Sequence, residues 1–154
     1  MKKKILVLCT GNSCRSQIAH GYLQQFGGDK VEVYSAGVET HGVNLKAIKT
    51  MKEDGIDIST HTSNNVLEYQ GIDFDFVITV CDNAAGEVCP VWPGKPATAH
   101  WGFPDPSQVK GNDLEKKSAF ISVMNGLKKR IDLLASMPLD TLDSMSLKEI
   151  HTKT

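Results

Sequence analysis

Four branched apolar residues in succession, Ile5-Leu6-Val7-Leu8, lead directly into Cys9-Thr10-Gly11-Asn12-Ser13-Cys14-Arg15-Ser16, and helical periodicity starts where that stretch ends. A short apolar run without polar alternation is the pattern of a strand covered on both faces, as in parallel sheets. Parallel strands need crossover connections, so this feature commits the chain to strands and helices in alternation. The remaining pattern agrees. Ile18, Ala19, Tyr22, Leu23 and Phe26 recur at helical spacing before Gly27-Gly28. Val31 to Tyr34 alternates as a second strand and stops at Ser35-Ala36-Gly37. Leu45, Ile48 and Met51 mark a helix closed by Gly55, and Ser63 is placed to cap a short helix through Val66, Leu67 and Tyr69. Phe74 to Val80 and Ala97 to Trp101 read as the third and fourth strands. Asp113 is the expected cap of the longest helix, whose stripe runs Ala119, Phe120, Val123, Met124, Leu127, Ile131 and Leu134. Ligands of such α/β sheets bind beyond the carboxyl ends of the strands, where Cys9, Cys81 and the segment after Trp101 all fall.

A chain of 154 residues suits one catalytic domain, residues 1–154. Residues 139–154 form a tail in which the capping-box spacing of Ser146 and Glu149 predicts a short extra helix. The formal net charge of −1 leaves no bulk field for nucleic acid or an anionic membrane, and Lys2-Lys3-Lys4 reads as a solvated chain start. No apolar run approaches the roughly 18 residues needed to span a bilayer, and no secretory pattern precedes the first strand, so the expected compartment is the cytoplasm. Four cysteines stand at positions 9, 14, 81 and 89. A reducing cytosol would not maintain a structural disulfide framework, which leaves metal binding, redox chemistry or nucleophilic catalysis. Neither cysteine pair has the tight CxxC form and no histidine sits close enough to complete a ligand set, so no metal is expected.

The Cys9–Ser16 stretch carries the chemistry. Thr10, Gly11, Asn12 and Ser13 are small or tolerate left-handed backbone, so they can turn their N–H groups inward as an anion-binding concavity. The helix opening near Arg15 adds its positive end to the same place, and both effects favour thiolate over thiol at Cys9. Arg15 offers a planar fork to two oxygens of a tetrahedral oxyanion, and Ser16 is placed to donate to the sulfur. Cys14 reads either as a packing residue or as a redox partner of Cys9.

With these residues in hand, the chain resembles the low-molecular-weight protein tyrosine phosphatase family. The fuller likeness is to its thioredoxin-coupled arsenate reductase branch. The motifs that carry it are Cys9–Ser16, Tyr34-Ser35-Ala36-Gly37, Gly55-Ile56-Asp57-Ile58-Ser59, Val80-Cys81-Asp82, Cys89-Pro90 and His100-Trp101-Gly102-Phe103-Pro104-Asp105-Pro106. The resemblance implies a three-layer α/β/α fold with a four-stranded parallel sheet and the Cys9–Arg15 loop as the oxyanion site. It also implies arsenate as substrate, with phosphate or sulfate as mimics, and Asp105 as general acid against the alternative of a plain turn residue. In the implied cascade Cys9 forms a thiol–arsenate adduct and Cys81 attacks it. Cys89 then draws the disulfide away for thioredoxin, preferred here over glutaredoxin or glutathione, to reduce. No organic cofactor is called for. The competing reading is a phosphatase that hydrolyses phosphate monoesters through a Cys9 phosphocysteine.

Three departures from the branch pattern bear on this. Seven residues, Asp82 to Val88, separate the last two cysteines where many members have six. One more residue changes loop-closure entropy little. The positions that hold potassium in some members match His20 and Asn64, neither acidic, so no such cation site is expected. Ser107 stands where the phosphatases carry a tyrosine after Asp-Pro, which favours a small inorganic substrate.

Overall fold

The Ile5–Leu8 run becomes the centre of the sheet because both of its faces are buried. In a computed structural model, which describes residues 2–82, 92–94 and 96–153, strand β1 (Lys3–Cys9) pairs in parallel with β2 (Val31–Gly37) and with β3 (Phe76–Thr79). Strand β4 (Ala97–His100) completes the parallel order β2-β1-β3-β4. Along β1, Ile5, Val7 and Cys9 enter the larger core, while Leu6 and Leu8 enter a smaller one with Ala36, Phe74 and Val77. The period-2 alternation of a strand thus explains why no polar residue interrupts the run.

Helices α1 (Arg15–Gly27), α2 (Leu45–Glu53) and α3 (Asp113–Ser136) lie on the larger-core side, and Ile18, Tyr22, Met51, Phe120, Leu127 and Ile131 are fully buried there. The other face is covered, among the described residues, by a 3-10 turn (Val66–Tyr69) and by Tyr34, Tyr69, Phe74 and Trp92 in edge-to-face contacts. Leu8 pairs with Thr79, and Thr79 with His100, so Cys9, Cys81 and Trp101 leave the sheet at one edge. No helix among the described residues is long and apolar enough to cross a membrane.

The caps differ from the sequence expectation in a consistent way. Asn65, not Ser63, caps the Val66–Tyr69 segment in a capping box with Glu68, and the segment is a single 3-10 turn instead of the helix expected. Asn112, not Asp113, caps α3, closing a capping box with Glu115. In the tail, Asp143 takes the place expected of Ser146: its carboxylate accepts from Ser146 N–H at 2.8 Å, at the start of helix α4 (Ser144–Lys153). Strand β2 also runs on through Ser35-Ala36-Gly37 instead of ending before it.

Helix α4 docks firmly. Leu147 and Ile150 are buried in the main core, and the indole N–H of the buried Trp101 donates to the Leu147 carbonyl at 2.9 Å. Trp101→Phe removes that hydrogen bond and leaves space where the larger indole stood. It is expected to lower unfolding free energy by about 1–3 kcal/mol in urea denaturation, the cost of one lost buried bond and a small cavity; a change within experimental error would show that this contact carries no weight.

Candidate active site

The loop after β1 is held by its carbonyls. Glu39 N–H donates to Thr10 O at 3.0 Å, His41 N–H to Gly11 O at 3.1 Å and Asn44 N–H to Ser13 O at 3.1 Å. The Ser63 hydroxyl donates to Gly11 O at 3.0 Å, and Gln17 Nε2 to Asn12 O at 3.2 Å. With four successive carbonyls engaged on the outside, the peptide planes turn their N–H groups toward the concave side. Asn12 makes this possible by taking φ of 48°, a left-handed conformation that Asn tolerates better than most residues. Gly37 is required by close approach: a Cβ there would stand 2.6 Å from Thr10 O and 2.8 Å from Asn12 N.

The sulfur of Cys9 sits in this cradle, almost fully buried. Asn12 N–H donates to it at 3.2 Å, and Ser16 Oγ lies 2.9 Å away. Because Asn12 Nδ2 already donates to Ser16 Oγ at 2.8 Å, the Ser16 proton is left to point at the sulfur. Asn12 is pinned in turn by Asn64 N–H, which donates to its Oδ1 at 2.7 Å. Arg15 is also buried. Its Nη1 donates to the Phe103 carbonyl at 2.9 Å, and its Nη2 lies 3.8 Å from Asp105 Oδ2. Asp105 therefore has two faces: Oδ1 caps the Pro106–Gln108 turn by accepting from the Ser107 N–H and hydroxyl, while Oδ2 looks toward the arginine.

Cys9, Thr10, Gly11, Ser13, Cys14, Arg15 and Asp105 line one cavity of about 520 Å³. Asn12 and Ser16, both fully buried, do not line it; they stand behind the sulfur and hold it. Sequence reasoning missed His41, Asp82 and Gln108, which also line the cavity, and Gln17 and Ser63, which fasten the loop. Only His41 had a sequence signal, its place just after the Ser-Ala-Gly motif.

Among the other thiols, Cys14 is buried and free, and burial, with the Asp105 charge adding to it, pushes its thiol up to about 12. A thiol that keeps its proton is a poor nucleophile, so the packing reading fits it better than the redox one. Cys81 is fully buried at the end of β3 and is disulfide-bonded, while Cys9 and Cys14 are free. Cys89 lies outside the described residues. On α1 the His20 ring packs against His61 with centroids 4.4 Å apart and a 37° tilt, and its Nδ1 lies 2.8 Å from Ser35 Oγ. Burial, and secondarily His61, pull His20 down to about 3. Among the described residues no group of three or more His, Cys, Asp or Glu is placed to hold a metal ion.

Residues 4–146 match the family described as low molecular weight phosphotyrosine protein phosphatase. An arsenate reductase of Halalkalibacterium halodurans is 48% identical over 134 residues, covering 87% of this chain and 96% of that one. Two solved structures are similar as well. An arsenate reductase in the phosphate binding state is 30% identical with a TM-score of 0.66, covering 87% of this chain and 97% of that one. An arsenate reductase in the oxidised state is 32% identical with a TM-score of 0.72, covering 88% and 98%.

Two expectations follow from this geometry. Gly37→Ala drives a methyl group into the backbone of Thr10 and Asn12; relieving that overpacking strain of about 1–3 kcal/mol turns the loop N–H groups off the anion, and a loss of that size in binding is about fivefold or more in affinity. The inorganic phosphate concentration that half-protects Cys9 from iodoacetamide should rise accordingly while the far-ultraviolet circular dichroism stays unchanged. Unaltered protection would mean that the contact does not shape the loop. The second concerns pH. His20 is neutral when folded down to about pH 3, whereas an unfolded histidine takes up a proton near pH 6.5. Its contribution to stability is present above about pH 6.5 and is lost as pH falls toward 3. The loss of melting temperature between pH 7.5 and pH 5 should therefore be smaller in His20→Gln than in the wild type, and equal losses would contradict the assignment.

Proposed function

The chain belongs to the low molecular weight phosphotyrosine protein phosphatase family, and from that membership and its cysteine set we propose that it is an arsenate reductase working by thiol chemistry. The observation that carries the reading is a nucleophilic sulfur in an oxyanion cradle, together with a second cysteine, Cys81, at the neighbouring strand end. A phosphatase has use for the first and none for the second.

The Cys9 thiolate attacks arsenic, held by the inward N–H groups and Arg15, and displaces one oxygen that leaves as water with a proton from Asp105. The Cys81 thiolate then attacks the Cys9 sulfur. The sulfur–arsenic bond pair passes to arsenic, which leaves as arsenite, reduced by two electrons, and Cys9 and Cys81 are joined by a disulfide. Cys89 attacks Cys81, the Cys9 thiolate is released, and a Cys81–Cys89 disulfide remains. A dithiol donor of the thioredoxin class returns two electrons to it, which sets the enzyme in a reducing compartment such as the cytoplasm. Support comes from the placement of Cys81, buried just past β3, the strand that pairs with the one leading into Cys9. The buried proton-bearing Cys14 takes no part. The exposed Ser107 places no aromatic wall beside Asp105, which suits a small inorganic anion better than a phosphotyrosine ring.

The test is arsenate-dependent NADPH oxidation with thioredoxin and thioredoxin reductase. The wild type is expected to turn over. Cys89→Ser should fall to background in steady state yet still release about one arsenite per enzyme in a single turnover, since only the last thiol exchange is lost. No NADPH oxidation by the wild type would remove the assignment, and unimpaired Cys89→Ser turnover would remove the relay alone. Cys9→Ser supplies the blank, also for any weak aryl phosphate hydrolysis that the shared loop supports.

A further inference from the structure

Residues 147–153 lie beyond the stretch that matches the family, 4–146, yet they reach the oxyanion arginine through an unbroken chain of contacts. From α4, His151 Nδ1 accepts from Arg130 Nε at 2.9 Å. Arg130 is fixed further by donation from Nη1 to the Gly126 carbonyl at 2.8 Å. Its guanidinium lies over the Phe103 ring, 4.7 Å from the centroid, and the His151 ring meets the same phenyl edge-on at 6.2 Å. Phe103 is thereby clamped, and its carbonyl is the acceptor that holds Arg15 Nη1 at 2.9 Å. Gly126, one turn before Arg130 on α3, lies against the same phenyl: a Cβ there would stand 2.6 Å from Phe103 Cε1.

We propose that α4 is a brace for the oxyanion-binding arginine, with His151 as its positioning residue. The brace rests on the reading of the Cys9–Arg15 loop as the oxyanion site, and it touches neither substrate nor sulfur. Its effect is on the plane of the Arg15 fork. A guanidinium gives two parallel hydrogen bonds to an oxyanion only when its plane is held, and one of its nitrogens is held here by a carbonyl that the brace fixes. The acceptor at Nδ1 requires an imidazole without a proton there. Burial, the Arg130 charge and His100 all hold His151 below its usual range, so it stays neutral near pH 7. A helix that lies mostly past the family's matched stretch thus contributes to the site as well as to the core.

The test separates the acceptor from mere packing. His151→Leu keeps a side chain of similar bulk without the acceptor, and His151→Asn restores an oxygen where Nδ1 stood. The readout is the inorganic phosphate concentration that half-protects Cys9 from iodoacetamide, with the alkylated site identified by mass spectrometry. His151→Leu should raise it about three- to tenfold, the size usual for changes acting through a packed chain of side chains. His151→Asn should stay within about twofold of wild type, and in coupled arsenate turnover the Leu variant should raise KM and leave kcat nearly unchanged. Gly126→Ala, which displaces Phe103 from the α3 side, should reproduce the Leu effect and decides the matter if His151→Leu does not fold. A wild-type value for folded His151→Leu or for Gly126→Ala would overturn the brace, as would an Asn variant as weak as Leu. If phosphate gave the wild type itself no protection, the reading of the loop would fall and the brace with it.

Discussion

The carbonyls from Thr10 to Ser13 all point away from the cavity because each is bound from outside, and the rest of the site depends on that single constraint. An unanchored loop would spend its carbonyls on its own turns and offer an anion nothing. The anchors come from three places: the segment after β2, the start of α1 and the strand-like stretch near Ser63. None of them is worth much alone, since one hydrogen bond nets about 1 kcal/mol. Together they hold the cradle in one shape, and a site organised in advance is the condition for electrostatic stabilisation of a developing charge.

Around that cradle the sheet supplies proximity. Parallel pairing brings the carboxyl ends of β1, β3 and β4 to one edge, so Cys9, Cys81 and the Phe103–Asp105 segment come to the same end of the sheet although up to 96 positions separate them in the chain. Asp105 shows how economical the arrangement is. One oxygen caps its own turn and so fixes the carboxylate, which leaves the other facing Arg15. The turn role expected of Asp105 is filled by one oxygen, and the other stands where the proposed acid role would need it. His20 follows a related logic. A buried neutral imidazole fills the space beside Ser35, and the second-layer partner Gln17, which holds the Asn12 carbonyl, is itself within 3.1 Å of His61 Nδ1.

Where sequence reasoning went astray, the reason is local competition. Ser63, Asp113 and Ser146 each carry a good capping side chain at a sensible place. Ser63 instead spends its hydroxyl on Gly11 O, 52 positions away, which leaves Asn65 to cap the turn. Asn112 lies one residue before Asp113, and its amide reaches the Glu115 N–H. Asp143 does the same for Ser146. Caps with equivalent chemistry at adjacent positions are separated only by the backbone angle at which the chain enters the helix, and no side-chain pattern encodes that angle.

The strand–loop–helix unit, the parallel α/β architecture and the placing of Cys9 and Arg15 in one loop were determined by the sequence alone. They rest on hydrophobic period and on short spacings, where neighbours along the chain are neighbours in space. Only the tertiary structure decided which way the loop carbonyls face, that Asn12 and Ser16 stand behind the sulfur, and that Phe103 O holds Arg15 across 88 positions. It also decided that His151 and Arg130 clamp that phenylalanine. Hydrogen bonds between distant side chains leave no periodic trace, because each depends on one distance and one angle that the packing of whole helices sets.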